Sequence, residues 1–181
     1  MNRTKKIAYS GLIVALVVVI LFLGNLVSSE WTAIFVSSFL LWITYEIGKV
    51  NTCFATTIVA NIVSYLLIPR LNYVITFTFV SLYTPLRAFV QHYNALVRWI
   101  AKFFYFNIAF ALWFFINLYL FGFNVVLDSL PRLLNIFGDN HALIYILVIS
   151  GLQVAFFVYE FFFSKYEYLL RKRFGEFFEK I

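Results

Sequence analysis

Residues 5–27, KKIAYSGLIVALVVVILFLGNLV, open with two lysines and then stay almost wholly apolar. An α-helix needs roughly 20 such residues to cross the ~30 Å hydrocarbon core of a bilayer. With Arg3, Lys5 and Lys6 ahead of it, the stretch superficially resembles a secretory signal. No small-residue cleavage site closes it at the right place, so it reads as a retained first helix. The composition of the whole chain agrees. Of 181 residues, 64% are hydrophobic and 12% charged, more apolar surface than a soluble domain of this length can hide, so lipid is the expected solvent. Phe alone contributes 24 residues, bulk that suits lipid-facing helix surfaces and interfacial belts.

Further apolar runs follow at 31–48, 52–68, 71–90, 100–123 and 142–164, after the first at 7–28. Gly24-Asn25 and Ser28-Ser29-Glu30 end the first, Gly48-Lys49-Val50-Asn51 parts the second from the third, and Pro69-Arg70 closes the third. The expected fold is therefore all-α and integral to a membrane, one domain over 1–181 with six transmembrane helices. Charge sets the orientation. With the N-terminus inside, cytoplasmic segments hold Arg3, Lys5, Lys6, Lys49, Arg87, Arg98, Lys102, Lys165, Arg171, Lys172, Arg173 and Lys180, which is 12 of the 14 basic residues. Outer segments hold only Arg70 and Arg132, beside Glu30, Asp128 and Asp139. That asymmetry predicts both termini in the cytoplasm of a multi-pass cell-membrane protein. The net charge of +6 is spread between apolar runs rather than over one solvated face, which argues against a nucleic-acid partner. Residues 86–99 and the tail 165–181 mix apolar and basic groups. Each is either an element lying in the inner interface or the snorkelling end of the preceding helix.

Several chemistries are missing. No Gly-x-x-x-x-Gly-Lys-Ser/Thr phosphate loop occurs, and no His-Glu-x-x-His pair. The two histidines, His92 and His141, fall on opposite sides of the expected membrane, and Ile149-Ser150-Gly151 lacks the first glycine of a rhomboid-type serine loop. Only Glu46 and Glu160 approach helix interiors, both near the inner face, so a proton relay is poorly supplied. Cys53 is the single cysteine, which excludes an internal disulfide. No enzyme, metal site or cofactor is expected.

What remains is a set of uncharged polar and aromatic groups in the outer halves of the last three runs. Asn72, Tyr73 and Thr76 stand at the start of the fourth run. Trp113, Asn117 and Asn124 follow along the fifth at steps of four and seven, and His141, Tyr145 and Gln153 along the sixth at steps of four and eight. These spacings hold each set to one helical face. Asn or Gln at lipid depth is costly without a partner, so each stripe points inward. The stripes either line an outward-opening pocket for a small molecule or bond helix to helix. Loop 125–141 is long and apolar, and reads as a cap over that pocket or as an interfacial helix. Small residues at Gly11 and Ala15, and at Thr52, Thr56, Ala60 and Ser64, mark close helix contacts, internal or with a partner. Lys102 and Arg87 are expected to snorkel to headgroups, and Pro85 to kink or end its helix.

Length, six spans and cytoplasmic ends, together with the opening Lys5-Lys6-Ile7-Ala8-Tyr9 before Gly11-Leu12-Ile13-Val14-Ala15-Leu16, resemble the substrate-binding S components of energy-coupling factor (ECF) transporters. The resemblance implies capture of a vitamin or similar micronutrient near the outer face of a bacterial cytoplasmic membrane, by outer loops and the last three helices. Asn72, Tyr73, Thr76, Trp113, Asn117, His141, Tyr145 and Gln153 are the candidates. It also implies partners: a transmembrane coupling protein docking on small first-helix residues, here Gly11 and Ala15, and two separate ATPase subunits. The alternative is a non-transporting scaffold similar to the rod-shape-determining membrane proteins. A lipid- or isoprenoid-modifying enzyme stands behind both, disfavoured by the lack of paired acidic residues.

Overall fold

A computed structural model describes residues 3–121 and 141–180, with side chains over 4–120 and 149–175. Among the described residues the regular structure is five helices: α1 (Arg3–Leu26), α2 (Glu30–Leu67), α3 (Leu71–Val90), α4 (Ala95–Phe121) and α5 (His141–Lys180). No strand occurs among the described residues. Thr4–Leu26, Glu30–Leu67, Leu71–Val90 and Ala95–Leu120 are long and apolar enough to cross a bilayer, as expected of a multi-pass membrane protein.

The expectation of six separate helices is corrected among the described residues to five, four of them candidate spans. The second and third runs join in α2, where only Lys49 leaves helical geometry (φ 64°, ψ −166°). The sixth run becomes the first part of α5, in which Gln153, Glu160 and Lys165 interrupt the apolar sequence.

Lys49 nevertheless turns the chain sharply. Twelve residues of continuous helix rise about 18 Å, yet the Cys53 thiol donates to the Leu41 carbonyl at 3.7 Å. Cys53 also bonds the side chain of Thr44, nine positions back. Residues 30–48 and 50–67 therefore fold against each other as two arms of a helical hairpin. Gly48 holds the turn tight: a Cβ there would collide with the side chain of Thr52, whose hydroxyl donates to the Gly48 carbonyl at 2.8 Å.

Elsewhere the breaks fall where the sequence places them. α1 ends with Ser28 at φ 56° while the Ser29 amide donates back to Gly24 O at 3.0 Å, the pattern of a left-handed helix cap. α3 starts just after Pro69-Arg70 and runs through Pro85 to Val90. The stretch 86–99 is no element of its own, because its two ends belong to α3 and α4.

The chain divides into two compact units, 1–113 with 174–181, and 114–173. In the first, α2 packs against both α1 and α3. Ile13, Val17 and Leu21 of α1, Ala33, Ile34, Leu41 and Ala60 of α2, and Tyr73, Val74 and Phe77 of α3 form its apolar core. α1 and α2 approach closely at Gly24, where a Cβ would overlap that of Ala33.

Candidate functional site

α3 places the first three candidates on different tasks. Asn72 has an exposed side chain near the start of the helix. Tyr73, one position on, is buried, and its hydroxyl donates to Leu21 O at 3.2 Å, tying α3 to α1. It is thus a core residue. Thr76 is half-buried and donates to Asn72 O at 2.9 Å, while its oxygen accepts the Trp113 indole N–H at 2.9 Å. Thr76 and Trp113 therefore come together where the first turns of α3 meet the C-terminal half of α4, Asn72 contributing its backbone carbonyl, with Trp113 stacked on Phe110 at 5.7 Å. A second α4-to-α3 link runs from the Tyr105 hydroxyl to Phe79 O at 2.8 Å. Such links contribute about 0.6–1.7 kcal/mol each in a membrane.

The remaining candidates belong to the second unit. Asn117 is buried and Gln153 half-buried. The side chains of His141 and Tyr145, and the whole of Asn124 and nearly all of loop 125–141, lie outside the described residues.

The densest polar region sits where the sequence signal is weaker. Ser37, Ser38, Thr44, Thr56, Thr57, Asn61 and Ser64 of α2 are buried with Ser81 and Thr84 of α3. Most hydroxyls bond their own helix: Ser38 to Phe35 O, Thr44 to Leu41 O, Thr56 to Thr52 O and Thr57 to Cys53 O, all at 2.7–2.8 Å. Three contacts cross to the hairpin from one face of α3. The Asn61 amide donates to Ser81 Oγ at 2.9 Å, and the Thr84 hydroxyl to Ser38 O at 3.2 Å. Arg87 stacks over the Trp42 ring at 5.7 Å. Ser81 thus holds the 50–67 arm, while Thr84 and Arg87 hold the 30–48 arm. Thr56, Ala60 and Ser64 stand out in the sequence as a small-residue stripe, but Asn61 at the centre falls outside that four-residue spacing.

Both interior cations depart from the snorkelling expectation. Arg87 and Lys102 are buried, and Lys102 Nζ lies 5.7 Å from the Trp99 ring centroid. A desolvated cation over an indole gains about 2 kcal/mol, which offsets part of the cost of taking the charge out of water. Away from these cations, Arg70 pairs with Glu30 on the surface and links the starts of α2 and α3.

The two small-residue faces part company. Thr56, Ala60 and Ser64 are buried inside the hairpin. Gly11 and Ala15 are exposed, and nothing lies within 4 Å of where a Gly11 Cβ would stand. Among the described residues no three His, Cys, Asp or Glu side chains gather as metal ligands. Comparison with known protein families, with curated proteins and with solved structures returned no match to this chain.

Proposed function

We propose that this chain is the substrate-capture subunit of an ECF-type importer, binding a small vitamin-like micronutrient near the outer face of a bacterial cytoplasmic membrane. The observation that carries this reading is the bare Gly11–Ala15 face of α1. The other small-residue stripe is spent on internal packing, whereas this one leaves backbone open to close approach by another helix. It stands on the segment whose sequence resembles the docking helix of that family. The hairpin supports six crossings: its arms, 30–48 and 50–67, are each close to the ~20 residues of a span, and with α5 as the sixth crossing both termini would share the cytoplasmic side that the basic residues mark. At the outer ends of α3 and α4, exposed Asn72 and the bonded Thr76–Trp113 pair offer an amide, a hydroxyl and a flat indole. That chemistry suits a flat ring compound with little charge. Energy comes from partner ATPases, in keeping with a sequence that has no phosphate loop.

Purification from native membranes tests the reading. A coupling subunit with two ATPases should copurify, and Gly11→Leu with Ala15→Leu should abolish that capture. Native mass spectrometry should find a bound small molecule that is lost with Asn72→Leu plus Trp113→Ala. Uptake should fall with Asn117→Ala plus Gln153→Leu. Stable capture of membrane partners with no ATPase and no small molecule would instead identify a scaffold and overturn the proposal.

A further inference from the structure

One face of α5 stays exposed without interruption across a sharp change in chemistry. Val154, Phe157, Val158, Phe161 and Phe162 recur at helical spacing and are all about half exposed or more, as a lipid-facing stripe requires. The opposite face, with Phe156, Glu160, Phe163 and Leu170, is buried. Carried forward by threes and fours, the exposed stripe arrives at Lys165, Tyr168, Leu169, Lys172 and Arg173, again all exposed. Within one turn it passes from purely apolar to alternating cation and apolar ring or chain. Arg171, on the flank, is ion-paired to Glu167 at 3.2 Å.

We infer that this strip is a docking site for anionic phospholipid headgroups of the inner leaflet. The point where a lipid-facing stripe first becomes cationic is where a helix leaves hydrocarbon, since lysine stems reach along apolar surface and put the charge among phosphates. From Lys165 to Lys172 the helix rises about 10 Å, enough to traverse the headgroup layer, which adds roughly 5–8 Å on each side of the core. Tyr168 and Leu169, between the two lysines, supply the amphipathic ring and apolar anchor usual at that depth. Three cations on one side of a helix complement phosphate-bearing lipid, while the buried opposite face is closed to it. The inference rests on α5 crossing the bilayer with its C-terminal end on the inner side, as in the proposed layout. It does not depend on capture of a micronutrient.

Native mass spectrometry of the purified full chain, titrated with phosphatidylglycerol and with phosphatidylcholine at low salt, tests it. The chain should prefer phosphatidylglycerol by about tenfold or more, with each strip cation contributing about fivefold. Lys172→Gln alone should weaken phosphatidylglycerol by about fivefold, and Lys165→Gln, Lys172→Gln and Arg173→Gln together should erase the preference. Lys5→Gln with Lys6→Gln, a control on α1 that also removes cations, should leave it in place. The inference fails if the triple variant keeps the preference, if the α1 control loses as much, or if both lipids bind alike. It fails equally if inorganic phosphate displaces the lipid, which would mark a site for free anions. Because these positions are exposed, the single variant discriminates between the outcomes even where the triple variant folds poorly.

Discussion

At Lys49 a lysine occupies backbone space that is almost reserved for glycine (φ 64°, ψ −166°). Glycine stands beside it, at Gly48, with no positive φ. The two positions make opposite predictions. Lys49→Gly relieves strain of order 1–3 kcal/mol and should raise the thermal midpoint of the detergent-solubilised protein. Gly48→Ala drives a methyl into Thr52 and should lower it, at a cost of about 1–3 kcal/mol. Equal midpoints for both variants would refute this account of the turn. The sequence marks a break at Gly48-Lys49 but cannot say which residue bends, because the choice follows from how closely the two arms pack. Tyr73 teaches a similar lesson. It shares a polar cluster with Asn72 and Thr76 in the sequence, and only the course of α1 shows that its hydroxyl reaches Leu21 O.

Among the elements, α3 is the most legible. Its expected and observed limits coincide at 71–90, since Pro69-Arg70 blocks extension at one end and a polar turn follows at the other. Pro85 is expected to kink or stop it, but the helix continues five residues further, its face secured by Ser81, Thr84 and Arg87 against α2. Asn61→Leu should therefore destabilise the first unit by about 1 kcal/mol, read as a lower unfolding midpoint, because the Ser81 and Thr57 bonds go together. α2 is legible as two runs but not as a hairpin this tight, since nothing local specifies its angle. A Thr44→Cys variant checks it directly. Oxidation should join the new thiol to Cys53 and remove two hydrogens by mass. Nine residues apart on a straight helix, about 14 Å, the pair could not meet.

Across the whole molecule, charge asymmetry is the strongest signal in the sequence and the candidate site the weakest. Arginines and lysines report on compartments through simple electrostatics, whereas a binding site depends on how helices far apart in sequence face one another. Of the candidates, Thr76 and Trp113 meet, Asn72 stands exposed one turn before Thr76, Tyr73 serves the core, and Asn117 and Gln153 belong to the other compact unit. The proposed six-crossing layout predicts that reporter enzymes fused at either terminus, or inserted at Lys49, are active only on the cytoplasmic side. A periplasm-active fusion at either end would refute that layout. The Lys49 turn also carries a topological consequence. On the proposed six-crossing layout, in which each arm crosses once, α2 would return the chain to the side it started from, whatever is spliced into the bend. Excising one arm would then change the parity and exchange inside for outside for every later basic residue, so the proposed sidedness of more than half the chain hangs on the backbone of one lysine.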